Sequence, residues 1–241
     1  TAMSVNVSTD TTATGFNHDA VAQITALGNS LSTVKAEVGK VIFGQEAVVE
    51  QTLITILCGG HALLVGVPGL AKTRLVEIFG TVIGLDNQRI QCTPDLMPAD
   101  ILGSEVLEDA PEGGRQFRFL PGPVFAQLLM ADEINRASPR TQSALLQAMQ
   151  EQAVSIAGQT HALPSPFHVL ATQNPIEQEG TYPLPEAQLD RFLMQIDVGY
   201  PDLDAERQML INTTGTENAR AAQVMTAAEL RAAQALLRQV P

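Results

Sequence analysis

A chain of 241 residues is long for one domain and short for two, which implies one large core with appendages. Hydrophobic residues at 45% and charged residues at 17% exclude a disordered chain. A formal net charge of -12 argues against a binder of nucleic-acid backbone, without excluding a small local basic patch.

Residues 1–17 are rich in Ser, Thr and Asn, lack periodicity and read as a flexible N-terminal arm. Val21, Ile24, Leu27, Leu31, Val34 and Val38 then recur at helical spacing and predict an amphipathic helix. Val41-Ile42-Phe43-Gly44-Gln45 leads into a second helix, which runs to Leu57 and is stopped by Gly59-Gly60. The apolar stretch from Leu53 to Val67 is broken by Cys58-Gly59-Gly60-His61, so it cannot span a membrane. No charged-then-apolar signal segment opens the chain. Cys58 and Cys92 lack CxxC spacing and are expected as buried free thiols in a reducing, cytoplasmic compartment.

From there strands and helices alternate. Ala62 to Val65 predicts a buried strand, followed by a Gly/Pro loop and a helix from Lys72. Arg89–Cys92, Leu128–Ala131, Phe167–Thr172 and Gln195–Val198 predict four more strands. Pro139–Gln150 predicts a helix with Ser138 as its cap. Alternation of this kind implies an α/β fold, a parallel sheet with helices on both faces. Two segments fall outside it and read as β-hairpin insertions, residues 98–122 and Ala153–Ala162. Residues 202–241 read as two short helices around a polar loop, the second from Ala227 to Val240 with little left to pack on. Met130, Met149, Met194 and Met209 read as core filling. His18, His61, His161 and His168 lack ligand spacing, so no metal site is expected from them.

The loop Gly66-Val67-Pro68-Gly69-Leu70-Ala71-Lys72-Thr73 follows the first strand and opens a helix. Glycines let backbone N–H groups approach phosphate oxygens, and the helix N-terminus adds partial positive charge. Lys72 can reach β- and γ-phosphates, and the Thr73 hydroxyl can ligate Mg²⁺. The strict pattern has Gly before the lysine where this chain has Ala71. Standing alone, these letters also fit a strand-to-helix turn with an exposed lysine. Leu128–Ala131 runs into Asp132-Glu133. Asp132 is placed to hold Mg²⁺, and Glu133 to orient and deprotonate an attacking water. Two acids capping a turn are the alternative. Thr172-Gln173-Asn174-Pro175 ends the next strand, where Asn174 could touch a γ-phosphate or simply form a turn. All three groups follow predicted parallel strands, at the edge where open α/β sheets bind ligands.

GVPGLAKT, LMADEINRASPRTQSALLQAMQE, ATQNP and PEAQLDRF together resemble the MoxR family of AAA+ ATPases, from about Gly39 to Tyr200. Ala before the P-loop lysine is usual in that family. The resemblance implies a P-loop NTPase core over residues 18–200, with Lys72 and Thr73 as Walker A, Asp132 and Glu133 as Walker B, and Asn174 as sensor 1. Gly66 to Arg74 would bind ATP, with Ile42 and Gly44 on the adenine side. Arg191, in Leu189-Asp190-Arg191-Phe192, matches the arginine finger, whereas the residues alone favour an internal pair with Asp190 or another acid. Arg136 and Arg140 read as surface or inter-subunit residues. Residues 201–241 would be the start of a truncated helical lid, carrying no sensor-2 residue that can be named.

The family also implies Mg-dependent ATP hydrolysis at the subunit interfaces of a homo-oligomer, a hexameric ring when the lid is complete. A protein client and a von Willebrand factor A (VWA) domain partner are implied with it. Three other readings are a nucleic-acid motor of the related helicase branch, a magnesium-chelatase-type subunit, and a nucleotide switch that barely hydrolyses. Glu133 and Arg191 argue against the switch. The charge balance argues against the motor, since Arg115 and Arg118 are the only cations of the first hairpin.

Overall fold

The computed structural model describes residues 18–109, 114–177, 179–201, 207 and 220–239. The arm expected over residues 1–17, Met209, and nearly all of the polar stretch from 202 to 219 lie outside these. Two helices, α1 (His18–Gly39) and α2 (Glu46–Leu57), lead into strand β1 (Ala62–Val65) and helix α3 (Lys72–Ile83). Strand β2 (Asn87–Gln91), the short helix α4 (Pro98–Leu102) and the hairpin β3 (Gly103–Asp109)–β4 (Arg115–Pro121) come next. They are followed by β5 (Leu128–Asp132), a 3-10 turn at Ile134–Arg136, and α5 (Pro139–Glu151). A second hairpin, β6 (Ala153–Ile156)–β7 (Gln159–Ala162), precedes β8 (His168–Gln173). Then come α6 (Glu186–Leu189), β9 (Met194–Asp197) and the last described helix, α7 (Ala227–Leu237).

Five strands form one parallel sheet in the order β2-β5-β8-β1-β9. Parallel pairing points all their carboxyl ends the same way, and β1 lies inside the sheet between the last two strands of the chain. Side chains that alternate along a strand feed opposite faces. Leu64, Met130, Leu170 and Ile196 pack with α1, α2 and α3 in one apolar cluster. Leu63, Leu129, Val169 and Ala171 pack with Ile101, Leu145, Leu146 and Met149 in another. A strand buried on both faces has to read as an unbroken apolar run, as Leu128-Leu129-Met130-Ala131 does.

Several expectations shift. The first insertion opens with α4, where Pro98 begins the helix and the Asp100 carboxylate accepts the Met97 N–H at 2.8 Å. Cys92 is buried, but Cys58 is exposed, because it caps the C-terminus of α2 at the surface. Helix α7 does find a surface. Leu230 and Ala233 join the first apolar cluster, and Gln234 donates to Ile56 O at 2.8 Å. Ahead of it, the N–H groups of Val224 and Met225 donate to Val82 O, at 2.8 and 3.1 Å.

Two buried histidines sit at the amino ends of β1 and β8. His61 Nδ1 accepts the Val169 N–H at 2.9 Å, a bond that protonation would break. Burial, and secondly the neighbouring His168, push His61 down to about 4. Burial also lowers His168. A depressed histidine favours folding while it stays neutral, and the unfolded chain takes up protons first on acidification. Stability should therefore fall as pH drops from about 6.5 toward about 4. Urea unfolding midpoints across that window check this, and a flat profile would contradict it.

Candidate active site

The carboxyl edge of the sheet gathers the residues singled out in the sequence. The chain leaves β1 through Gly66, whose position no side chain could share: a Cβ there would lie 2.5 Å from Val198 O. The loop turns through Gly69 at φ 87° and Ala71 at φ 54°, so the alanine occupies left-handed backbone where glycine would be unstrained. The first described helical bond of α3 runs from Leu75 N–H to Ala71 O at 2.8 Å. The N–H groups of Lys72, Thr73 and Arg74 thus face outward from the helix start, where an anion is favoured. Leu70 turns its side chain into the apolar core, and Arg74 pairs with Glu77 at 3.2 Å, so both offer the site only backbone. Gln45 Nε2 donates to Leu70 O at 3.1 Å, which moors the Ile42–Gly44 segment beside the loop.

Lys72 folds its ammonium back over the loop, donating to Gly66 O and, at 3.0 Å, to Val67 O. Burial lowers its pKa, while the charges of Asp132 and Glu133 oppose that shift. The same two carboxylates, after burial itself, help push the Cys92 thiol up to about 12.

Asp132 ends β5. Glu133 adopts φ 55°, and this left-handed residue breaks the strand line, so that the two adjacent carboxylates diverge. Thr172, from β8, orients both: its hydroxyl donates to Asp132 Oδ1 at 2.5 Å and accepts the Glu133 N–H at 2.9 Å. Strand β2 contributes from the other side. Arg89 donates to Asp132 Oδ2 at 2.6 Å and Gln91 to Glu133 Oε2 at 3.0 Å. Asn174 lies just past β8, with Oδ1 accepting the Ile176 N–H at 3.2 Å and Nδ2 donating to Glu177 Oε2 at 3.3 Å.

Arg136, expected as a surface or inter-subunit residue, also meets the site: its Nη1 lies 3.3 Å from Glu133 Oε2 and 3.5 Å from Glu177 Oε1. The 3-10 turn after Glu133 folds it back toward the carboxylate three residues earlier. Arg140 is exposed. Arg89, Gln91, Thr172, Arg136 and Glu177 are thus neighbours that local sequence pattern did not mark.

Arg191 lies elsewhere. It precedes β9, whose first residue pairs with Ala62 at the start of β1, so it stands at the amino edge of the sheet, opposite the Gly66–Thr73 loop. It forms no ion pair with Asp190 or any other described residue. Its guanidinium donates to Gln150 Oε1 and, at 3.4 Å, to Leu146 O, beside a cavity of about 450 Å³ that His61 and Met149 also line.

A phosphate-cradling loop, two diverging acids and an amide at one edge of this sheet define an α/β P-loop NTPase. The sequence model of the ATPase family associated with various cellular activities (AAA) matches residues 61–194. Chaperone MoxR1 of Mycobacterium tuberculosis is 52% identical over 194 residues, 80% of this chain and 50% of that one. Protein MoxR of Paracoccus denitrificans is 36% identical over 181 residues, 73% of this chain and 52% of that one. A crystal structure from Cytophaga hutchinsonii, described as a candidate ATPase, matches with a TM-score of 0.80 and 42% identity, over 91% of this chain and 67% of that one. The chain belongs to the MoxR family of AAA+ ATPases. It spans about half the length of the curated relatives it matches. Among the described residues no helix is long and apolar enough to cross a membrane.

Proposed function

We propose that this chain binds and hydrolyses ATP and, in a homo-oligomeric ring, uses that hydrolysis to remodel protein complexes in the cytoplasm. The observation that carries the reading is the meeting of Lys72, Asp132, Glu133 and Asn174 at one sheet edge, with both acids acting on the lysine's charge. Backbone N–H groups of the Gly66–Thr73 loop and Lys72 take the β- and γ-phosphates. Ile42 and Gly44 flank the adenine. Glu133 takes the proton of a water whose oxygen bonds to the γ-phosphorus as the bond to the bridging oxygen breaks, leaving ADP and phosphate. Asn174 positions the γ-phosphate or the water. Thr73 and Asp132 are hard oxygen donors of the kind Mg²⁺ prefers, and Asp132 already draws a guanidinium to 2.6 Å. When bound there, the metal would neutralise charge on the phosphates.

Lys72→Ala should reduce nucleotide affinity by about a hundredfold, because the charge-assisted bonds to phosphate are lost. Titration of a fluorescent ATP analogue measures this, and unchanged affinity would remove the P-loop from the account.

Remodelling, a hexameric ring, a protein client and a VWA-domain partner rest on family membership and on a relative named as a chaperone. A magnesium-chelatase-type subunit would share the same chemistry. A nucleic-acid motor draws less support, since Arg115 and Arg118 of the hairpin already pair with Asp109 and Glu108. Binding to DNA at physiological salt should accordingly be weak and should not stimulate hydrolysis. Tight, salt-sensitive binding in a filter or anisotropy assay, with faster phosphate release, would favour the motor.

A further inference from the structure

One guanidinium nitrogen in this site serves two carboxylates. Arg136 Nη1 lies between Glu133 Oε2, at 3.3 Å, and Glu177 Oε1, at 3.5 Å. The other oxygen of Glu177 accepts from Asn174 Nδ2 at 3.3 Å. Asn174, Glu177, Arg136 and Glu133 therefore form one unbroken chain of polar contacts. Its two ends are the amide and the carboxylate to which the proposed hydrolysis assigns the γ-phosphate and the water. Next to Arg136, Asn135 O accepts the Tyr182 N–H at 2.6 Å, and Gln142 Nε2 donates to Tyr182 O at 2.9 Å. Among the described residues the buried Nε of Arg136 has no partner. A cation paired through one outer nitrogen can swing between its two acids.

We propose that Arg136 and Glu177 are positioning residues that report the γ-phosphate to Glu133. With Arg136 shared between the two acids, Glu133 is partly occupied by a cation when it should be accepting a proton. A γ-phosphate that draws the Asn174 amide to itself strips Glu177 of one donor. The uncompensated charge on Glu177 then pulls Arg136 away, and Glu133 is released toward the water. ADP lacks the γ-phosphate and leaves the relay at rest. This rests on the ATPase reading above, and it assigns to the loop after β8 the timing of hydrolysis.

Glu177→Gln should act on binding and turnover in opposite directions. The bond competing for Asn174 loses its charge, so the affinity for a non-hydrolysable ATP analogue relative to ADP should rise about fivefold. Arg136 is no longer drawn off Glu133, so steady-state phosphate release should fall about tenfold. In the Arg136→Gln background, adding Glu177→Gln should change the rate by less than about twofold, since the relay is already cut. Arg136→Lys should restore the sensitivity to Glu177→Gln. The Glu177 side chain is 38% exposed, so the fold should tolerate the change, and the thermal midpoint verifies that. An unchanged or lower affinity ratio overturns the relay. So does a Glu177→Gln rate loss that persists undiminished without Arg136. The ATPase reading is judged separately, by the loss of analogue binding in Lys72→Ala.

Discussion

Arg191→Ala is expected to slow hydrolysis by about a thousandfold while leaving nucleotide affinity within about twofold. The size follows from what a guanidinium does for charge developing on a phosphoryl group in transit. The split between rate and affinity follows from where Arg191 stands. It precedes β9 at the amino edge of the sheet, whereas Lys72 follows β1 and Asp132 ends β5, both at the carboxyl edge. No rotamer carries it across the sheet to its own P-loop. The role proposed for it is therefore at the site of a neighbouring copy, and among the described residues it finds only uncharged acceptors on α5. Mixing provides the direct check. Lys72→Ala subunits offer intact arginines, and Arg191→Ala subunits offer intact loops, so a co-assembled mixture should regain activity that neither shows alone. Specific activity of the wild type should also rise with protein concentration. No recovery in a mixture shown to co-assemble, with concentration-independent activity, would mean Arg191 takes no part between subunits.

Glu133→Gln is expected to cut turnover by about three orders of magnitude and to leave binding intact. The amide keeps the shape of the side chain and cannot take the water's proton. Neighbouring contacts survive, because the amide oxygen can still accept from Gln91 and Arg136, as the carboxylate does at 3.0 and 3.3 Å. The backbone also keeps its anchor, the Glu133 N–H on the Thr172 hydroxyl. Nucleotide affinity and steady-state phosphate release measured on one preparation separate the outcomes. Loss of both would make Glu133 structural or a metal ligand.

Legibility in the sequence tracked how local each feature is. Strand β1 reads directly from Ala62 to Val65 because both its faces are buried, and apolar letters mark both. Strand β2 was expected at Arg89–Cys92 and lies at Asn87–Gln91. It is an edge strand with one neighbour and only Ile90 buried, so hydrophobicity hardly marks its bounds. Lys72, Asp132, Glu133 and Asn174 can be named because each stands at or after the end of an apolar strand, β1, β5 or β8. Arg89 and Gln91 could not, because their place in the site depends on β2 pairing with β5 and not with β1, a matter of sheet order that no local pattern encodes. Thr172 was in view, one residue before the Gln173-Asn174 pair, but a hydroxyl that orients two acids on another strand shows only in three dimensions. The packing of helix α7 is hidden from the sequence for a related reason. The surface it covers belongs to α2 and β8, far back in the chain, where Gln234 meets Ile56 O and His168 Nε2.

The way Lys72 is held on the Gly66 and Val67 carbonyls bears on the calorimetry of this protein. The loop is braced by its own lysine, so an incoming triphosphate substitutes one set of acceptors for another and does not freeze a wandering side chain. The heat released should fall short of what a count of new phosphate contacts suggests, since two carbonyl bonds are surrendered as they form. The entropic penalty should be small for the same reason, because the backbone and the ammonium are ordered before the ligand arrives. Lys72→Met, which removes the brace along with the charge, should make the free loop more mobile as well as less attractive. Its amides should then exchange hydrogen faster even when no nucleotide is present.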